Sequence, residues 1–432
     1  MLNLLLKGGR VVDPQVELDQ VADVLIKDGL IAEVGVDLDT AGCEVLDCTG
    51  RVVVPGLVDL HVHLREPGRE DLETIRTGAR AAARGGFSAV CAMPNTVSPI
   101  DSGAKVRFIV ERAAADAIVR VHPIGACTTG QKGESLAKIG DMLAEGAVAF
   151  SDDGRGVQSA GMTRRVMDYA KAFETTIISH CEDESLAASG VVNEGAVSTS
   201  MGLAGQPAIA EEVIVARDIM LAELTGCRLH LAHLSSAGSA ELVRQAKARG
   251  IRVSAEVTPH HLFLDENAFA GRYDTYLKMN PPLRTANDRE ALVAALLDGT
   301  IDCVATDHAP HGLHEKEREF ELAPFGITGL ETAVPLVVTN LVATEKMSWS
   351  QFARALAIAP RAALGLVEVK MASGSDADIT IIDPEAEVKV EADRFESKSV
   401  NSPFVGLTLK GRATEVIVGG RFALRSGEVV SL

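Results

Sequence analysis

The sequence predicts an α/β protein: a TIM-like (β/α)8 barrel carrying a small β-sandwich domain formed from both chain ends. Three observations predict it. Short apolar or β-branched runs alternate with Ala-, Glu- and Arg-rich helical stretches through the middle of the chain. Eight of the 11 histidines stand at or just beyond the ends of those runs, and hairpin-like alternation marks both termini.

Residues 1–54 form the first part of the small β domain, with turn signals at Lys7-Gly8-Gly9-Arg10, Val12-Asp13-Pro14 and Lys27-Asp28-Gly29. Residues 55–365 form the barrel. Its eight strands are expected to end near His63, Asn95, Cys127, Asp153, His180, His233, His261 and Asp307, with helices such as 208–226, 237–249 and 287–297. Residues 366–432 return to strands, in Ala377-Asp378-Ile379-Thr380-Ile381-Ile382-Asp383 and in a hairpin over 416–424.

A chain of 432 residues with 47% hydrophobic and 24% charged residues has the composition of a soluble globular enzyme. No apolar tract is long enough to cross a bilayer, and the N-terminus lacks the basic and small-residue features of a signal peptide, so a cytoplasmic protein is expected. Seven cysteines without a CxxC pair read as reduced and mostly buried. A formal charge of −18 argues against nucleic-acid binding, and it requires any anionic substrate to find a locally placed Arg or Lys.

Barrel enzymes carry their chemistry at the C-terminal ends of the strands, which is where the histidines fall. In Asp59-Leu60-His61-Val62-His63, strand alternation puts Asp59, His61 and His63 on one face, and two imidazoles so spaced can bind one metal ion. His180 and His233 each end an apolar run and are candidates for a second ion, while Asp307 ends Val304-Ala305-Thr306-Asp307. In Ala149-Phe150-Ser151-Asp152-Asp153-Gly154, Asp153 shares its face with small residues and is the preferred bridge between two ions. Asp152 then faces away, and the plainer alternative is a turn-forming Asp-Asp-Gly.

These residues, with His61-Val62-His63-Leu64-Arg65-Glu66-Pro67-Gly68, Met93-Pro94-Asn95-Thr96, Val257-Thr258-Pro259-His260-His261-Leu262, Met279-Asn280-Pro281-Pro282-Leu283-Arg284 and Thr306-Asp307-His308-Ala309-Pro310-His311, resemble the amidohydrolase superfamily and its bacterial class I dihydroorotases. The likeness runs nearly end to end. It implies reversible, zinc-dependent cyclisation of N-carbamoyl-L-aspartate to L-dihydroorotate, a step of pyrimidine biosynthesis. By that likeness His61, His63 and Asp307 hold one zinc ion, His180 and His233 the second, and Asp153 bridges them. It also implies that Asp307 is the general base and then acid, and that His63, Arg65, Asn95, Asn280, His311 and the backbone of Phe325 and Gly326 contact substrate.

Hydantoinases, dihydropyrimidinases and allantoinases are the nearest rivals. Such relatives carry a carboxylated lysine just after a Phe, whereas Phe150 is followed here by Ser151, Asp152 and Asp153. A scaffold without activity, serving aspartate carbamoyltransferase, should have lost ligands that this chain keeps. A homodimer and a complex with that transferase both stay open. His260 and His261 read as supporting or packing residues. The charged run His314-Glu315-Lys316-Glu317-Arg318-Glu319, within 312–323, reads either as a lid or as a solvated loop.

Overall fold

The computed structural model describes residues 3–431. Eight parallel strands follow one another around a sheet in chain order: Leu57–Val62, Phe87–Ala92, Arg120–Gly125, Ala149–Ser151, Thr176–Ser179, Arg228–Leu231, Val253–Val257 and Cys303–Val304. The last returns to the first through a parallel bridge between Val62 and His308, in which His63 N–H donates to the His308 carbonyl at 2.9 Å. That bond completes the barrel. All eight strands end within a few residues of the positions expected from sequence.

The helices between the strands include Ile209–Thr225, Ala237–Ala248 and Ala286–Leu297. Their starts follow from local chemistry. Thr285 caps the Asp288 N–H and receives the Asp288 carboxylate in return, while the Ser236 hydroxyl caps Ser239. Apolar side chains of strands and helices, among them Val62, Phe150, Leu231, Val257, Ile214 and Leu292, form one continuous core. Removing such surface from water is the main force holding helices against the sheet.

Both chain ends build a second unit. Val52–Pro55 runs antiparallel to the start of Ile379–Lys389, pairing Val54 with Thr380, so the two ends share one nine-stranded sheet. Leu4, Leu6, Val24, Ile26, Val53, Ile379, Ile381 and Ile417 form its separate core. The predicted turn at Lys7-Gly8-Gly9-Arg10 is instead a register shift inside one strand, Leu4–Asp13. Gly8 takes a φ of +71°, so two glycines bend the ladder without ending it. The Lys27-Asp28-Gly29 turn joins Leu18–Lys27 to Leu30–Gly35 as expected. Six of the seven cysteines are buried, and all are free. Among the described residues no helix is long and apolar enough to cross a membrane.

Candidate metal centre

Four histidines gather around one aspartate at the C-terminal mouth of the barrel. Asp153 Oδ1 lies 3.3 Å from His61 Nε2, 3.5 Å from His180 Nδ1 and 3.8 Å from His233 Nε2, while its Oδ2 lies 3.7 Å from His63 Nε2. Asp307 approaches from the eighth strand, 2.9 Å from His63 Nε2 and 3.5 Å from His61 Nε2. Two groups of ligand atoms result, His61 with His63 and Asp307, and His61 with Asp153 and His233; within each the atoms lie inside 4.8 Å of one another. His180 adjoins the second group, its Nδ1 3.0 Å from His233 Nε2.

The donor set fits metal ions. His61 Nε2, Asp153 Oδ1 and His233 Nδ1 are buried without a hydrogen-bond partner among the described residues. Each such orphan costs about 1–3 kcal/mol, and those of His61 Nε2 and Asp153 Oδ1, which face each other at 3.3 Å, are accounted for when a cation takes their lone pairs. Electrostatics agree. Burial opposes a charge on His61, yet Asp153, Asp307 and Glu256 outweigh it and push its pKa well above the ordinary value. His180 is likewise driven up to about 10, against burial, by hydrogen bonds to Asp153 and Glu182. Positive charge is favoured here, which is what a binuclear metal site requires.

Asp152 points elsewhere. It accepts from the Cys127 N–H at 2.9 Å, the Thr128 N–H at 3.1 Å and the Thr128 hydroxyl, and so ties the ends of the third and fourth strands together. Backbone strain also marks the centre: His233, Asp307 and Arg65 have φ of 34°, 49° and 57°. Side chains other than glycine adopt this region at a cost and commonly do so at functional sites.

The other predicted residues divide. Asn95 bridges within the centre, its Oδ1 2.8 Å from His63 Nδ1 and its Nδ2 donating to Asp153 Oδ2 at 3.0 Å. Asn280 reaches the centre through Glu182, donating to Oε2 at 2.6 Å, and that oxygen lies 3.2 Å from His180 Nε2. Arg65 donates to the Pro310 carbonyl at 3.2 Å and makes no ion pair among the described residues. His311 uses Nε2 on the Phe325 carbonyl, at 2.8 Å, and lies 3.4 Å from the Arg65 guanidinium. His261 is held at both ring nitrogens, by the Thr258 hydroxyl at 2.8 Å and the Pro281 carbonyl at 2.9 Å. Burial pushes the adjacent His260 down to about 4. His308 holds the Glu73 carboxylate at 3.2 Å and is a structural histidine of the barrel rim. The charged run is no solvated loop throughout, for Lys316 is buried.

Sequence pattern gives no assignment to Glu256, which lies fully buried beneath the centre. Its carboxylate takes His61 Nδ1 at 2.7 Å, His230 Nε2 at 3.1 Å and the His233 N–H at 3.2 Å. The available sign is an acidic residue inside the buried strand Val253–Val257, since a carboxylate is rarely buried without partners. A cavity of about 560 Å³ opens at the other end of the barrel, lined by Arg228, Arg252, Asp302 and Arg354, and none of the clustered histidines faces it.

Comparison with known proteins places this centre in its family. A model described as Dihydro-orotase-like matches residues 50–239. The chain is 54% identical to the dihydroorotase of Pelotomaculum thermopropionicum over 98% of its own length and 99% of that protein. It is 50% identical to the dihydroorotase of Syntrophotalea carbinolica, with 98% and 99% covered. Among solved structures it superposes on the L-hydantoinase (dihydropyrimidinase) of Arthrobacter aurescens with a TM-score of 0.90 at 27% identity, covering 100% and 98% of the two chains. The D-hydantoinase (dihydropyrimidinase) of a Thermus species gives 0.86 at 26%, covering 99% and 97%. Hydantoinases thus share the architecture at about a quarter identity, whereas about half of all positions are shared with dihydroorotases along almost the entire length; the chain belongs to the dihydroorotase family.

Proposed function

We propose that the chain catalyses the dihydroorotase reaction, the reversible interconversion of N-carbamoyl-L-aspartate and L-dihydroorotate, with two zinc ions at the centre. His61, His63 and Asp307 would hold one ion, His180 and His233 the other, with Asp153 between them. Imidazole and carboxylate donors of this kind suit zinc. What the ions supply when bound is Lewis-acid activation of water and polarisation of the ring carbonyl.

The chain's own residues supply the rest. Asp307 is held well below the ordinary carboxyl range, because His61 and His63 outweigh the effect of its burial, so it is a carboxylate able to accept a proton. In ring opening it takes the proton of the attacking water and hands it to the departing ring nitrogen. Ring closure reverses both transfers: Asp307 first takes the proton of the attacking nitrogen as base and then gives it to the departing hydroxide as acid. Arg65 faces a substrate carboxylate, and the backbone of Phe325 and Gly326 contacts the ring. Asn95 and Asn280 hold His63, Asp153 and, through Glu182, His180 in place, and from there each can turn a donor to substrate.

The single observation that carries the substrate class is Arg65. It is a largely enclosed guanidinium without a carboxylate partner among the described residues, near Asp307, in a protein of charge −18. An anionic ring completes it. Seven free cysteines support a cytoplasmic location. Metal analysis together with assays in both directions tests the reading. Protein that holds metal but ignores both compounds while opening hydantoin or allantoin would overturn it.

A further inference from the structure

Two lysines close to the centre take no part in the chemistry described so far. Lys278 and Lys316 are 1% and 2% exposed, and neither makes an ion pair among the described residues. A lysine is almost never buried this completely without a carboxylate. Both ammonium groups are instead filled by main-chain carbonyls of a single loop. Lys278 Nζ donates to Phe320, Glu321 and Ala323 at 2.8, 2.9 and 2.7 Å. Lys316 Nζ donates to Pro324 at 2.8 Å and Gly326 at 2.9 Å. Lys278 Nζ also lies 4.6 Å from the centre of the Phe325 ring, within cation–π range.

The loop is fixed from other sides as well. Gly326 N–H donates to the Lys278 carbonyl at 2.9 Å, and Asn401 Nδ2 donates to the Gly326 carbonyl at 3.2 Å. Gly326 has a φ of +108°, and a Cβ there would meet the Ala309 Cβ at 2.6 Å, so only glycine fits. The Phe325 carbonyl is occupied by His311. Of the four main-chain polar groups of Phe325 and Gly326, one is left: the Phe325 N–H has no hydrogen-bond partner among the described residues.

Peptide planarity says what fixes that group. In a trans peptide the carbonyl of one residue and the N–H of the next point in opposite directions. With the Pro324 carbonyl anchored on the Lys316 ammonium, the Phe325 N–H is turned away from the buried lysine. We propose that Lys316, braced by Lys278, is a positioning residue that aims the Phe325 N–H at an acceptor oxygen of the bound ring. This rests on the dihydroorotase reading and names the one backbone donor through which the loop acts. The lysines do not touch substrate. They set the direction of a group that does.

Kinetics of the metal-loaded enzyme test this. In Lys316→Met the anchor is lost, and KM for dihydroorotate is expected to rise about tenfold with kcat changed less than about threefold and metal content unchanged, the signature of lost uniform binding. Lys316→Arg keeps donors beneath the carbonyls and is expected to recover most of that KM. A Lys316→Met enzyme with wild-type KM would overturn the proposal, as would a loss confined to kcat and metal content that arginine does not repair. Where Lys316→Met does not fold, the wild type decides. Deuterium exchange of the 320–327 segment is expected to slow several-fold at saturating dihydroorotate, and unchanged exchange overturns the assignment of the Phe325 N–H. Wild-type enzyme that turns over neither compound refutes the functional reading itself. An active wild type with an indifferent Lys316→Met refutes only the role of the lysine.

Discussion

The imidazole of His61 and the carboxylate of Glu256, both completely buried, meet at 2.7 Å between Nδ1 and Oε1. The contact fixes the hydrogen on Nδ1 and leaves Nε2 to face Asp153 and Asp307. Burial opposes the charge on Glu256, but His61 and His230 hold its pKa down at about 2. Glu256→Gln keeps the shape and removes the charge. Metal affinity or turnover is expected to fall about 10- to 100-fold, as for other partners of metal-bound histidines. Metal titration of the apoprotein beside steady-state rates checks this, and unchanged values in both would deny Glu256 its part.

Asp307→Asn is expected to lower kcat in both directions by at least about 10²-fold, the lower end of the contribution of a positioned general base. Asparagine cannot shuttle a proton. Since Asp307 is also a proposed ligand, the metal content of the variant must be measured alongside. Substantial turnover in either direction excludes the proton-transfer role.

The adjacent aspartates should separate cleanly. Asp153→Ala is expected to lose at least one metal ion per chain with nearly all activity. Asp152→Ala should keep both ions and chiefly lower the melting temperature, because it removes acceptors from Cys127 and Thr128. Elemental analysis and thermal unfolding read the two effects. Full metal occupancy in Asp153→Ala would exclude it as the bridge.

Arg65→Met is expected to raise KM about 10- to 100-fold in both directions, the loss of a charged hydrogen-bonding pair worth about 1.5–3 kcal/mol. Metal binding should be unaffected, since Arg65 touches none of the clustered ligands. An unchanged KM would place the substrate carboxylate elsewhere.

Acid should weaken the fold through His122. Burial, aided by Arg120 and Arg361 and opposed by Asp378, pushes this histidine down to about 4. Its folded pKa is thus depressed below the unfolded value of about 6.5, so its contribution is complete above that value and is lost as pH falls toward 4. Between pH 7 and pH 5 the loss is about 1–2 kcal/mol. His122→Gln cannot protonate and should show a smaller drop in melting temperature over that interval. The same drop in both proteins would show that His122 is not held neutral.

How much was legible in sequence depends on the kind of constraint. Asp153 and Asp152 are told apart by the period of a strand, because alternate residues face opposite ways and small neighbours mark the open face. The eight strand ends are legible because the parallel barrel concentrates polar residues there. Glu256 carries no such mark: its role depends on His61 and His230, which approach from two other strands. Lys278 and Lys316 read in sequence as ordinary charged residues, and the carbonyls that bury them sit in an irregular loop with no periodicity. The glycine pair at 8 and 9 shows the converse limit. The same residues make a turn or a bulge, and which one depends on the strands alongside.

The pairing of Val54 with Thr380 sets the order in which the protein can be finished. During synthesis every proposed metal ligand has emerged by Asp307, yet Val52–Pro55 has no antiparallel partner until Ile379–Lys389 follows. Until then the nascent chain presents an open apolar edge to the cell, a state prone to wrong association. Asn401 arrives later still, and with it the last hold on Gly326. A premature stop between residues 307 and 379 therefore spares every ligand while leaving the small sheet and the substrate side of the site unfinished.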